Sequence, residues 1–101
     1  MAIVAKKITV SNYSSNNYTY GISGQTGSNA RQFIDLNDIS GYTPATDASG
    51  NPTDVIQVTT QKTASDDGNI SYWLKWDSGT WKIYWSSTGY LPIFSVIIEK
   101  L

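Results

Sequence analysis

An all-β fold is expected from the sequence: a small antiparallel sandwich or barrel of about six to seven strands with long polar loops. Three observations carry this expectation. Ile outnumbers Leu eleven to four and stands with eleven Thr, seven Tyr and four Trp, against a single Glu, a composition that suits pleated strands and not helices. Clusters of Gly, Ser, Asn, Asp and Pro recur at short intervals, as turns do in small β domains. Several stretches alternate apolar and polar residues with a period of two. A length of 101 residues reads as one domain spanning 1–101.

Residues 2–10 read as the first strand, with Val4, Ile8 and Val10 on one face. Lys6 interrupts that face and marks 1–10 as an arm or edge strand. Ser11–Asn17 reads as a polar turn segment. Tyr18, Tyr20 and Ile22 alternate with Thr19 and Gly21 and give a short second strand. Gly21–Asn29 is a loop whose Gly-x-x-Gly-x-x-Gly spacing lacks the Lys-Ser/Thr of a phosphate-binding loop. Residues 30–36 fit either a strand or one helical turn, and strand is preferred.

Residues 40–54 hold two prolines and two glycines and form a long irregular loop. Its Asp47, Ser49, Asn51 and Thr53 place oxygens at alternate positions, but Gly50 and Val58 stand where a calcium loop needs other residues, so an Asx/Pro turn is the reading. A strand resumes over 55–63, and Asp66-Asp67-Gly68-Asn69 signals a turn.

The strongest pattern is 70–87. Ile70, Tyr72, Leu74 and Trp76 alternate with Ser71, Trp73 and Lys75, and Trp81, Ile83 and Trp85 alternate with Lys82 and Tyr84. Ser78-Gly79 supplies a tight turn. Pairing Asp77 with Thr80 then sets Trp76 against Trp81, Leu74 against Ile83 and Tyr72 against Trp85, all on one face. A slip of one residue would bring Lys82 onto that face, at the cost of burying a charge. The last strand is 93–101, with Phe94, Val96 and Ile98 on one side and Ile93, Ile97 and Leu101 on the other. Apolar residues on both sides imply a strand between two layers or one covering another chain.

Composition also excludes functions. Without Cys and His, neither a disulfide, nor a Cys/His zinc site, nor a Cys–His or Ser–His–Asp nucleophile is open to the chain. Charged residues are 15% of the total and the net charge is −1. Seven scattered basic residues do not make a phosphate-binding face, so no nucleic-acid partner is expected. No apolar run approaches the ~20 residues of a membrane span, and the N-terminal residues do not read as a secretion signal. The carboxylate pairs Asp35/Asp38 and Asp66/Asp67 lack the features of a converging acid and base. No catalytic residue, cofactor or metal site is expected, and the chain reads as a non-enzyme.

Candidate interface or ligand residues follow from the hairpin register. It puts Trp73 opposite Tyr84 on the second face, flanked by Lys75 opposite Lys82. Trp and Tyr are the residue types enriched at interface hot spots. Tyr18 and Tyr20, among Asn and Ser, resemble the mixture found on adaptable recognition surfaces.

The Thr/Asp/Ser/Gly/Asn/Pro phrase of 46–54, the Trp76-Asp-Ser-Gly-Thr-Trp81 hairpin and the Ile97-Ile-Glu-Lys-Leu101 tail together resemble small accessory virion proteins of tailed bacteriophages, such as capsid cement or decoration proteins and tail modules. The resemblance implies a structural protein that coats a capsid or joins a tail, as a homo-oligomer or in many copies on a lattice, within a virion assembled in the host cytoplasm. The alternative is a carbohydrate- or receptor-binding sandwich of the tail-tip adhesin type, with Trp73 and Tyr84, joined by Tyr42 or Trp85, as a platform for a glycan.

Overall fold

The structure is a computed structural model that describes residues 2–62, 68–87 and 91–101. It is an all-β sandwich of two antiparallel sheets. The strands are β1 (Ala2–Ser14), β2 (Asn17–Ile22), β3 (Asn29–Arg31), β4 (Ile34–Asp35), β5 (Val55–Lys62), β6 (Ile70–Asp77), β7 (Thr80–Ser87) and β8 (Pro92–Lys100). One sheet has five strands in the order β3-β2-β1-β8-β5, and the other has three in the order β4-β7-β6. The first half of the 66–69 turn signal, including Asp66 and Asp67, lies outside the described residues.

The first strand is longer and more central than its sequence suggests. β1 runs on to Ser14, and the turn shrinks to Ser15 and Asn16, both with positive φ (52° and 65°). Two such residues make the turn type whose twist matches a hairpin. A bulge between Val10 and Asn12 lets the strand continue through its polar stretch. β1 pairs with β8 over Ala2–Thr9 and with β2 over Ile8–Ser14. It is therefore built into the sheet, which corrects the reading of 1–10 as an arm. Only the side of Ala2–Lys6 away from β8 has no strand beside it among the described residues, and Lys6 does stand on that open stretch.

The 30–36 segment also resolves differently. It divides into β3, the two-residue β4 and a 3-10 turn at Leu36–Asp38. Asp35 caps that turn by accepting from the Asn37 N–H. β3 and β4 belong to different sheets, so this segment carries the chain from one layer to the other.

The core lies between the layers. Ile8, Val10, Tyr20, Phe94, Val96 and Ile98 project from the five-stranded sheet onto Ile34, Ile83 and Trp85 of the three-stranded one. The Phe94 ring meets Trp85 edge-on at 5.3 Å. Such contacts add to the hydrophobic gain of burying two large rings. Of the two readings of β8, the one that sets it between two layers falls. Its Phe94, Val96 and Ile98 face is buried, but Ile97 on the opposite face is 42% exposed and Leu101 is exposed, so within this chain the strand is covered on one side only. Among the described residues no helix is long and apolar enough to cross a membrane.

Candidate functional site

The site is assembled from β6, β7 and the segment around β4. Ser78 and Gly79 both adopt positive φ (55° and 76°), closing the β6–β7 hairpin in two residues. The register is the one the sequence implied: Asp77 pairs with Thr80, Trp76 with Trp81, Lys75 with Lys82, Leu74 with Ile83, Trp73 with Tyr84 and Tyr72 with Trp85. Period-two alternation then sends Ile83 and Trp85 into the core and leaves Trp73, Tyr84, Lys75 and Lys82 on the outer face.

Trp73 is 52% exposed. Its ring lies 11° from the plane of Tyr84, with centroids 5.7 Å apart. β4 pairs on the other side of β7, Ile34 with Ile83 and Asp35 with Lys82. This brings Phe33 against Tyr84 at 5.4 Å. The result is a row of three rings, Trp73–Tyr84–Phe33, running across the strands. No pattern near residue 33 signals this, because the contact is created by a strand pairing fifty positions away. Phe33 is the functional candidate that the sequence concealed.

The next row is charged. Lys75 and Lys82 stand directly opposite one another, a pairing that repels. Lys82 is relieved by Asp77, whose carboxylate lies 3.0 Å from its ammonium, and by the Phe33 ring 4.7 Å below it. The hydrogen bond and charge of Lys82 hold the Asp77 carboxyl below the usual carboxylate range. Lys82 is thus largely covered and internally neutralised. Lys75 is exposed and makes no ion pair among the described residues. The face offers a strip of aromatic surface with one available cation at its side.

A hydrogen-bonded cluster fixes the segment that carries Phe33. Arg31 donates to both oxygens of Asp38, at 2.9 and 3.0 Å. Tyr20 donates its hydroxyl to Asp38 and accepts from the Asp35 N–H at 3.1 Å. Burial pushes the Asp38 carboxyl up, but the Arg31 and Tyr20 hydrogen bonds outweigh it and hold the group below the usual range. Burial, reinforced by Asp38, pushes the Tyr20 phenol well above the ordinary tyrosine value.

Tyr18 and Tyr20 do not join the outer face. Tyr20 is fully buried, and Tyr18 packs its ring 4.2 Å from Trp85. The alternation that picked them out faces inward, because β2 pairs with the Ile8 and Val10 stretch of β1. Tyr42 and Trp85, the further platform residues, are buried as well. Tyr42 instead donates to the buried Asp54 at 2.7 Å, and Lys100 reaches over from β8 to within 4.0 Å of the same carboxylate. Burial and the Asp54 carboxylate raise the Tyr42 phenol. Asp47 accepts from the N–H groups of Ser49 and Asn51; it is an Asx turn. Among the described residues no cluster of three or more His, Cys, Asp or Glu is placed to hold a metal ion.

No protein-family model, curated protein or solved structure matches the chain. The Trp73–Tyr84–Phe33 row is thus identified by its chemistry alone. Three adjoining rings with one open indole face can stack on an apolar or planar partner group, and Lys75 can pair with a carboxylate beside it.

Proposed function

We propose that the protein is a non-enzymatic binding and assembly module that docks onto a protein partner through the outer face of its three-stranded sheet. The carrying observation is Trp73, half exposed and stacked on Tyr84 in a row completed by Phe33. A large ring held rigid by its neighbours binds with little loss of conformational entropy, as interface anchors do. The non-enzymatic reading is supported by the use of four of the described carboxylates, Asp35, Asp38, Asp54 and Asp77, as hydrogen-bond and ion-pair acceptors within the fold.

The resemblance of 46–54, the Trp76–Trp81 hairpin and the tail to bacteriophage accessory virion proteins gives the partner its class: a repeating capsid or tail lattice, bound in many copies within the virion. A protein that binds the assembled lattice and not its free subunits stabilises it by mass action. The test is co-sedimentation with capsids and tail tubes assembled from the structural proteins encoded beside its gene. Saturable binding that Trp73→Ala weakens by about 30-fold or more is expected. Absence of binding to either assembly removes the virion role.

The near-parallel Trp73 and Tyr84 rings also favour a second reading, a glycan-binding face of the adhesin type. A glycan array probed with the wild type and Trp73→Ala decides this. Signals lost in the variant support it, and a blank array or signals that persist exclude it.

A further inference from the structure

The opposite side of the molecule carries a second surface. The outer face of the five-stranded sheet is laid out in rows by the pairing of β1, β8 and β5. Ile3, Glu99 and Val55 form one row, Ala5, Ile97 and Gln57 the next, and Lys7, Ser95 and Thr59 the third. Ile3 is 62% exposed, and Val55 and Ile97 are also open to solvent. At Ala5 the small side chain leaves a shallow hollow bordered by Lys7, Ser95 and Ile97. Neither the Lys7 ammonium nor the Glu99 carboxylate has a hydrogen bond or ion pair among the described residues. The face therefore has Ala5 and Ile97 beside Gln57 in its middle row, with a lone cation in the row on one side and, on the other, a lone anion between the exposed Ile3 and Val55.

That layout is self-complementary. A two-fold axis lying in the plane of the face, across the strands at the level of Ala5 and Ile97, exchanges the Lys7 row with the Glu99 row. Ile97 then meets its own copy at the centre. Lys7 of each molecule lies over Ile3 of the other, one strand from that molecule's Glu99, so two ion pairs close on either side of the Ile97 contact. A two-fold contact requires such a patch, in which residue i meets j and j meets i. We infer that the β1–β8–β5 face binds a second copy of this chain in a symmetric, sheet-on-sheet dimer centred on Ile97. Three strands ~4.8 Å apart give a footprint below the ~800 Å² per partner of a standard interface, so the dimer is a weak, reversible one. It leaves the Trp73 face free and stands whatever that face binds.

Sedimentation velocity across micromolar to millimolar protein tests it. The weight-average mass is expected to climb from 11.1 kDa toward twice that value. Ile97→Lys should hold the protein monomeric. Lys7→Glu and Glu99→Lys should each weaken self-association by at least about tenfold. Mixing these two single variants should restore it, because each then presents only the charge the other lacks. Both are exposed substitutions, and an unchanged near-UV circular dichroism spectrum checks the fold of each. A monomer at every concentration overturns the dimer. So does self-association that Ile97→Lys leaves intact, or a mixture no tighter than its separate components.

Discussion

Trp73 and Tyr84 hold their rings 5.7 Å apart and 11° from parallel across the β6–β7 ladder, with Trp73 half open to solvent. A stacked cross-strand pair of this kind is worth about 0.5–1.5 kcal/mol beyond its buried area. A double-mutant cycle on Trp73→Ala and Tyr84→Ala, read by urea denaturation, should return a coupling of that size. Partner binding should respond far more strongly to Trp73→Ala than stability does.

Asp38 is the acceptor on which Arg31 and Tyr20 converge. Asp38→Ala leaves a buried hydroxyl and a guanidinium without their partner and should cost about 2–3 kcal/mol. Tyr20→Phe removes one donor to Asp38 and the acceptor of the Asp35 N–H but keeps the charged Arg31 pair, and should cost less. Chemical denaturation of the two variants gives the comparison. An equal loss would show that the Arg31 pair contributes no more than the Asp35 N–H bond to Tyr20.

Stability should be level through neutral pH, since no His is present to titrate there. On the acid side, the Asp38 carboxyl is lowered in the folded state. Its contribution is complete above the unfolded value near pH 4 and fades as the pH falls through the lower folded value. On the alkaline side, the Tyr20 and Tyr42 phenols are raised. Their contribution is complete below about pH 10 and fades as the pH rises further. Thermal melts from pH 2 to 11 test both limbs, and Tyr20→Phe should flatten part of the alkaline one.

Ser78 adopts φ 55° in the β6–β7 turn, a conformation that costs most residues about 1–2 kcal/mol and Asn much less. Ser78→Asn should therefore raise stability by up to about 1 kcal/mol. Thermal melting of the variant measures this, and a lowered midpoint would contradict the turn geometry.

The β6–β7 hairpin was legible residue by residue because three constraints agreed: alternating Trp and Ile, two lysines that reject the core, and a Gly at the turn. Elsewhere only one constraint was present. The Tyr18–Tyr20–Ile22 alternation revealed a strand face but not that it looks inward, since the deciding partner is β1. The polar run after Val10 concealed a strand because a bulge and pairing with β2 keep it extended. β3 and β4, three and two residues long, owe their conformation to tertiary pairing, and with them went the placement of Phe33 beside Tyr84.

β8 sits between β1 and β5, and Val4 meets Ile98 almost a whole chain length away. During synthesis β1 must wait for nearly everything that follows before it gains its β8 partner, and β5 waits on the same strand. The β1–β2 and β6–β7 hairpins, each closed by a two-residue turn, depend on no such delay. Emergence from the ribosome should thus yield the hairpins first and the complete five-stranded sheet only once β8 has followed. High sequence separation between partners also places the protein among slow folders for its size.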